Sequence, residues 1–244
     1  MILEQKGGSN MRYFAGLLIW ILVGSGCAMA TEQLGNAQTS KPKPADIRIN
    51  HDVHVEDQRL GSIFYDVLYG TGLHGGLAEI TGCSGVPMGR IQIKQGATVR
   101  HAMDALVAAN PGYKWELKNG AVELLPSSGA PLLDTRIARF QVDATGLTNE
   151  AVLQDLLRLP EVLERQAVLG LKGGTHWGIG SGGAAIELHP APREPVPVHV
   201  NFQNVSLQEA FTKVVERSPN GVWVYDETDC NGAKTFIVGV ITDH

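Results

Sequence analysis

Three cysteines are the residues of this 244-residue chain whose chemistry is easiest to anticipate: Cys27, Cys83 and Cys230. Cys27 follows an apolar N-terminal segment, and either lipidation of Cys27 or removal of that segment would take it out of the thiol count. An even pair then remains, which is typical of a disulfide in an oxidising compartment. We therefore predict a Cys83–Cys230 disulfide, with two free buried thiols as the alternative.

A glycine-rich stretch contains the pattern of a dinucleotide-binding loop. Residues 178–183 read Gly-Ile-Gly-Ser-Gly-Gly, which matches G-x-G-x-x-G. That chemistry needs a helix directly after the loop, so that its N-terminus meets the pyrophosphate. Four prolines between positions 190 and 197 leave no room for this helix, and we predict a surface loop from Gly173 to Gly183. His176 and Trp177, at its start, are candidate partner-binding residues, and a Trp177 that folds back on the protein is the alternative.

Other residues give little support for catalysis or metal binding. His51 and His54 point to opposite sides of an extended chain, and the remaining histidines lack metal-ligand spacing. The chain contains no Gly-x-Ser-x-Gly element and no recognisable pair of glycosidase carboxylates. We therefore predict no catalytic, cofactor-binding or metal-binding residues. A net charge of −5 and the lack of a basic patch argue against nucleic acid as a partner.

The N-terminus resembles an export signal. Met11 and Arg12 precede a run of ten apolar residues, 14–23, that is short for a membrane span, which needs ~20 residues. We predict a signal peptide over 1–30, with Met11 as the natural start and cleavage after Ala30. Lipidation of Cys27 and an uncleaved helical anchor are the alternatives. All three place the body in the periplasm or outside the cell, with membrane contact only through the signal or a lipid anchor. We expect residues 31–59 to be a flexible tether.

One eighteen-residue pattern occurs twice in the chain. Residues 98–115 and 206–223 each give a Ser/Thr helix cap, a helix with apolar residues at spacings of three and four, a proline break and a strand containing Trp. Alternating strands precede both helices, and return strands follow. Each copy therefore predicts a β-α-β-β unit, with an Asn119-Gly120 hairpin in the first and a longer turn, 226–233, in the second.

This β-α-β-β pattern resembles the secretin and TonB short N-terminal (STN) domain, over roughly 90–126 and 197–240. The resemblance rests on the capped helices at Thr98 and Ser206, their Pro breaks and the Tyr/Trp strands. It implies a periplasmic docking module. The chain departs from the family's usual setting, because neither a β-barrel nor a secretin domain follows within it.

The predicted fold class is α+β, with repeated small β-α-β-β modules, each a helix on a short mixed sheet. Its parts are a signal peptide (1–30), a tether (31–59), a first STN-like module with a preceding helix (60–126), a linking β-α unit with the glycine-rich loop (127–189) and a second STN-like module (190–244). Before the first module we predict a helical turn at residues 77–80, and in the linking unit a helix that stops at Pro160.

The function expected from these features is non-catalytic docking in the periplasm, for an envelope protein of unknown identity in an outer-membrane or trans-envelope assembly. The alternatives are an envelope enzyme or enzyme subunit that acts on glycan or peptide, and a module that binds a small ligand.

Overall fold

A computed structural model of the chain describes residues 43–84, 88–175, 197–218 and 220–242. The fold is mixed α+β. The strands are β1 (Val53–Arg59), β2 (Gly75–Gly82), β3 (Met88–Ile93), β4 (Tyr113–Lys118), β5 (Ala121–Pro126), β6 (Arg136–Thr145), β7 (Leu171–Thr175), β8 (Pro197–Ser206), β9 (Val222–Cys230) and β10 (Ala233–Ile241). The helices are α1 (Leu60–Leu68), α2 (Val99–Ala109), α3 (Asn149–Leu157), α4 (Pro160–Leu169) and α5 (Leu207–Val215).

Six of these strands form a central mixed sheet in the order β4-β5-β2-β9-β10-β7. The hairpins β4–β5 and β9–β10 are antiparallel, while β2 is parallel to both of its neighbours and β7 is parallel to β10. The remaining strands form two antiparallel ribbons, β1–β3 and β6–β8.

The two faces of the central sheet carry separate hydrophobic cores. On β9, Val222 and Val224 pack with residues of α1 and α2, whereas Trp223 and Tyr225 pack with residues of α3 and α5. Because successive strand residues point to opposite faces, α1 and α2 lie on one face of the sheet and α3 and α5 on the other. We call these the α1/α2 face and the α3/α5 face. The ribbon β1–β3 packs against α1 and α2, and β6–β8 packs against α5.

Two parts of the chain have the same strand pairing. In the N-half, residues 53–126, β1 pairs with β3 and the other strands have the order β4-β5-β2. In the C-half, residues 136–241, β6 pairs with β8 and the other strands have the order β9-β10-β7. The halves meet where β2 pairs with β9, from Gly75↔Val222 to Gly82↔Asp229. We call this pairing the β2–β9 junction.

The helix caps expected from the sequence are present. Thr98 Oγ1 accepts a hydrogen bond from the His101 N–H at 3.2 Å. Ser206 and Glu209 form a reciprocal capping box at the start of α5. Asn119 and Gly120 have φ values of 52° and 86°, the left-handed geometry of a tight hairpin turn. The same geometry occurs at Asn231 and Gly232, with φ values of 54° and 79°.

The structure corrects several sequence-based expectations about element ends. The second hairpin turn is confined to Asn231-Gly232, because residues 226–229 continue β9 and pair with β2. Residues 77–80 lie in β2 rather than in a helical turn, since all four pair with β9. The helix expected to stop at Pro160 does end before it, because α3 ends at Leu157. Pro160 also begins a further helix, α4, which was not expected, at a position where its missing N–H costs nothing.

Two segments expected to be irregular are partly ordered. The tether was expected to reach residue 59, but Ile49 and Val53 are 1% and 2% exposed and belong to the core on the α1/α2 face. The apolar residues of this segment therefore hold it against α1 and α2. Gly173, expected in a loop, lies in β7, where an added Cβ would come within 1.8 Å of the Phe236 carbonyl oxygen. Only glycine allows β7 to approach β10 so closely.

None of the helices formed by the described residues combines the length and the hydropathy needed to cross a membrane.

Candidate functional site

Strand β4 forms one outer edge of the central sheet. It pairs with β5 and with no second strand among the described residues. Lys118 and Ala121 flank the two-residue turn, and hydrogen-bonded pairs alternate along an antiparallel hairpin. The backbone groups of Trp115 and Leu117 therefore point away from β5. Leu117 is 39% exposed, so this edge offers both free backbone groups and an apolar side chain.

Trp115 and Trp223 make matching contacts in the two halves. The Trp115 Nε1–H donates to Asp104 Oδ1 of α2 at 2.7 Å, and the Trp223 Nε1–H donates to Thr212 Oγ1 of α5 at 3.0 Å; each partner lies eleven residues earlier. Their surroundings differ, because Trp223 is fully buried whereas Trp115 is partly exposed. The indole of Trp223 occupies the space above Gly76 of β2, where an added Cβ would lie 1.9 Å from Cε2. Within the described residues, no strand covers Trp115 in this way.

A polar cavity of about 300 Å³ lies between α5, the β4–β5 hairpin and the ends of β6 and β8. At its base is Glu123 of β5, which is only 1% exposed. Glu123 accepts hydrogen bonds from Gln208 Nε2 at 2.6 Å and from Thr212 Oγ1 at 2.8 Å, both on α5. Burial raises the pKa of Glu123, while these two hydrogen bonds oppose the rise.

Charges of both signs surround the cavity. Glu209 Oε1 lies 3.3 Å from Lys118 Nζ, and Glu209 Oε2 lies 4.0 Å from Arg136 Nη1. The Ser206 N–H donates to Glu209 and, with Lys118, lowers the pKa of that carboxyl. On the rim, Glu216 lies 3.6 Å from His74 Nε2, and burial lowers the pKa of His74. The lining could hold a small ligand rich in hydroxyl or charged groups better than an apolar one.

A buried acid, Glu79, and a partly buried one, Asp226, lie together on the α1/α2 face. Glu79 of β2 is 3% exposed and is paired in register with Asp226 of β9. Glu79 Oε1 accepts the Gly61 N–H, in the first turn of α1, at 3.1 Å. Burial, reinforced by Asp226, raises the pKa of Glu79 to about 7. Burial also raises the pKa of Asp226, against the opposing charge of Arg59. Burial, together with the charges of Glu79 and Asp226, raises the pKa of the Tyr113 hydroxyl to about 12.

The predicted disulfide is confirmed. Cys83 and Cys230 are bonded, with their Cα atoms 4.7 Å apart and a sequence separation of 147. They lie one residue beyond the last pair of the β2–β9 junction, Gly82↔Asp229. The bond therefore links the N-half to the C-half at the end of their shared strands.

The other predicted site residues lie outside the described residues: Cys27, His176 and Trp177. Of the histidines weighed as metal ligands, His101 is exposed on α2 and His199 lies 2.9 Å from Asp143 on the β6–β8 ribbon. Within the described ranges, no three His, Cys, Asp or Glu side chains are grouped closely enough to hold a metal ion.

Sequence analysis did not identify Glu79, Glu123 or Asp226 as candidate site residues. A signal was present for Glu79 and Glu123, because each is a single acid inside an apolar run, Leu-Ala-Glu-Ile and Ala-Val-Glu-Leu-Leu. A glutamate at a core position of a strand needs a hydrogen-bond partner or a proton. Asp226 gave no such signal, since it begins the polar stretch Asp-Glu-Thr-Asp.

Comparison with known proteins gives no relative for this chain: no protein-family model, no curated protein and no solved structure matches it.

Proposed function

We propose that this chain is a non-catalytic docking protein of the cell envelope, built of two equivalent STN-like units, that binds its partner by strand addition at an edge of its central sheet. The observation that carries the proposal is the outer edge of β4. The outward backbone groups of Trp115 and Leu117 can hydrogen-bond an extended partner segment, while the exposed Leu117 side chain contacts it.

Three further observations support the proposal. The Cys83–Cys230 bond is typical of proteins that fold in an oxidising compartment, in agreement with the export signal expected at the N-terminus. The N-half and C-half share one pairing pattern, which favours two equivalent units. The sequence resemblance to STN domains favours docking over catalysis.

The experiment is in-cell crosslinking with a photoreactive residue at Lys114, an exposed position of β4, in three chains. These are the unmodified chain, Leu117→Pro and Leu117→Ala. Proline removes the outward N–H but no hydrogen bond to β5, whereas alanine keeps the N–H and removes only the side chain. Thermal unfolding of each purified chain shows that it is folded.

We expect one envelope protein to be captured by the unmodified chain, weakly by Leu117→Ala and not by folded Leu117→Pro. Equal capture by all three chains would contradict strand addition at β4. Capture of nothing by an exported, folded chain would contradict the docking function itself.

A second candidate function is binding of a small polar ligand, and the cavity above Glu123 favours it. Its mixed charges from Lys118, Arg136 and Glu209 suit a glycan or peptide fragment. Thermal stabilisation by such fragments, lost in Arg136→Ala, would support this function. The absence of stabilisation across neutral, acidic and basic fragments would exclude it.

A further inference from the structure

The β2–β9 junction is a pairing of two sheet edges within one chain. Within the N-half, β2 lies at one edge of the three strands β4-β5-β2. Within the C-half, β9 lies at one edge of the three strands β9-β10-β7. At the junction, Trp223 of β9 lies above Gly76 of β2, its register partner. The junction therefore consists of a parallel strand pair with an indole seated over a glycine.

The two end strands of the central sheet, β4 and β7, are the counterparts of the two strands that meet at the junction. β7 has the place in the C-half that β2 has in the N-half, and β4 has the place of β9. β4 runs opposite to β2, because it is antiparallel to β5 and β5 is parallel to β2. β7 likewise runs opposite to β9. Since β2 and β9 are parallel, β4 and β7 run in the same direction, and a second copy shifted along the sheet would bring its β4 alongside β7 in parallel.

The β7 edge also has a glycine, Gly174, over which a side chain could pack as Trp223 packs over Gly76. Gly174 is paired with Ile237 of β10, and Ile237 is paired with Asp226 of β9. All three side-chain positions lie on the α1/α2 face, because Asp226 shares its face with Val222 and Val224. Among the described residues, nothing lies within 4 Å of an added Cβ on Gly174, and Ile237 is 41% exposed. In the part of the chain that the structure describes, the outer edge of β7 thus has an open space over a glycine, bordered by an exposed apolar side chain.

The β4 edge presents the matching residue on the matching face. Trp115 packs against the core of the α1/α2 face and keeps the Nε1 contact to its helix that Trp223 makes in the C-half. In the buried junction, the neighbour of Trp223 is Gly76. At the outer edge of β4, no strand that the structure describes lies next to Trp115.

We propose that a second copy of this chain pairs its β4 in parallel with β7, seating its Trp115 above Gly174 and against Ile237. This contact repeats the β2–β9 junction between copies. It uses a different surface on each copy, so it is heterologous and leaves one β4 edge and one β7 edge open for further copies. The inference rests on the proposed docking function and names the partner as another copy of this chain.

The first experiment tests register with cysteine pairs in the full chain. If Trp115 faces Gly174 in a parallel pair, Glu116 of one copy faces Thr175 of the next. The native Cys83–Cys230 bond shows that positions one residue beyond the last pair of such a parallel ladder can be bridged. We expect a mixture of Glu116→Cys and Thr175→Cys chains to form a disulfide-linked dimer under mild oxidation, and neither chain alone to do so. Leu117→Cys mixed with Thr175→Cys is the out-of-register control.

The second experiment is sedimentation of the purified chain over a series of concentrations. We expect concentration-dependent association that Gly174→Leu weakens by about tenfold or more, because its side chain fills the seat of the indole. Gly174→Ala is the matched control with a smaller effect. Both variants should keep the unfolding midpoint of the unmodified chain, since no described residue lies within 4 Å of the added Cβ.

A chain that stays monomeric at every concentration, or a crosslink that forms equally well with either cysteine variant alone, would overturn the proposal. Neither result bears on capture of an envelope protein by the unmodified and Leu117→Ala chains. The docking function and the identity of this partner can therefore fail separately.

Discussion

Glu79 and Asp226 lie side by side on β2 and β9, so that two carboxyl groups share one face of the sheet at the junction of the N-half and C-half. Glu79 also accepts the Gly61 N–H at the start of α1. Removing two like charges from water costs free energy unless one of them keeps its proton. The stability of the junction should therefore depend on pH.

Glu79→Gln should reveal this dependence. The pKa of Glu79 rises from 4.5 to about 7 on folding, so the folded state holds a proton that the unfolded state releases. Its contribution to stability is complete below pH 4.5 and is lost as pH rises through about 7. Glutamine keeps the acceptor for Gly61 and cannot ionise. As pH rises from 4.5 to about 7, the free energy of unfolding of Glu79→Gln should increase by ~3 kcal/mol relative to that of the unmodified chain.

The measurement for Glu79→Gln is the free energy of unfolding in urea at a series of pH values. The matched control is Glu116→Gln on the exposed edge of β4. A difference between Glu79→Gln and the unmodified chain that stays constant with pH would contradict the prediction.

Loss of the disulfide should lower stability substantially. The Cys83–Cys230 bond closes a loop with a sequence separation of 147, and a loop of this length is worth ~5 kcal/mol in the chain-entropy description. The paired Cys83→Ser, Cys230→Ser chain should lose about this free energy of unfolding. Addition of a reductant should lower the midpoint of the unmodified chain but leave that of the serine chain unchanged. Equal midpoints for the oxidised and serine chains would refute the prediction.

Gly76→Ala should destabilise the fold because Trp223 fills the space that the new Cβ needs. Overpacking of this kind costs ~1–3 kcal/mol, with more if the indole is displaced. Gly174→Ala is the matched control, because Gly174 lies on the corresponding strand and no described residue lies within 4 Å of its added Cβ. Urea denaturation and the near-ultraviolet circular dichroism of the Trp223 environment give the two readouts. A Gly76→Ala chain as stable as Gly174→Ala would show that the contact above Gly76 is not tight.

Thr212→Val should lower the free energy of unfolding by more than Asp104→Ala does. The valine leaves the buried Trp223 N–H without its acceptor and removes one donor to Glu123. An unsatisfied buried group costs ~1–3 kcal/mol. Asp104 accepts the corresponding bond from Trp115, where water can replace it because Trp115 is partly exposed. Chemical denaturation of both variants gives the comparison, and equal losses would argue against the buried network.

Local structure was predictable because its causes are local. The caps at Thr98 and Ser206, the Asn119-Gly120 turn and the apolar faces of α2 and α5 all depend on neighbours within a few residues. The errors occurred where a distant strand decides the outcome. Residues 77–80 have no strong local preference, and they become a strand because β9 pairs with them. Pro160 follows the end of α3, as predicted, and it also starts α4, because proline is tolerated in the first turn of a helix.

The candidate site was less predictable than the fold. Glu123 belongs to the N-half, but its two partners belong to α5 of the C-half. Glu79 and Asp226 are likewise separated by 147 positions and meet only through the parallel β2–β9 pairing. A single sequence contains no local signal for a parallel pairing over such a distance. The cysteines were the exception, since their even count in an exported chain indicated one pair.

The position of the disulfide also has a mechanical consequence. A pulling force applied between the two ends of the described chain would pass from Cys83 directly to Cys230 through the covalent bond. The backbone between the cysteines, which includes β3–β9 and α2–α5, would lie outside this covalent force path. Only β1, α1 and β2 on one side and β10 on the other could be peeled away. For a protein anchored at one end and loaded at the other, the hairpin β4–β5 would stay outside the covalent force path, whereas β7 would lose its sheet neighbour once β10 is peeled away.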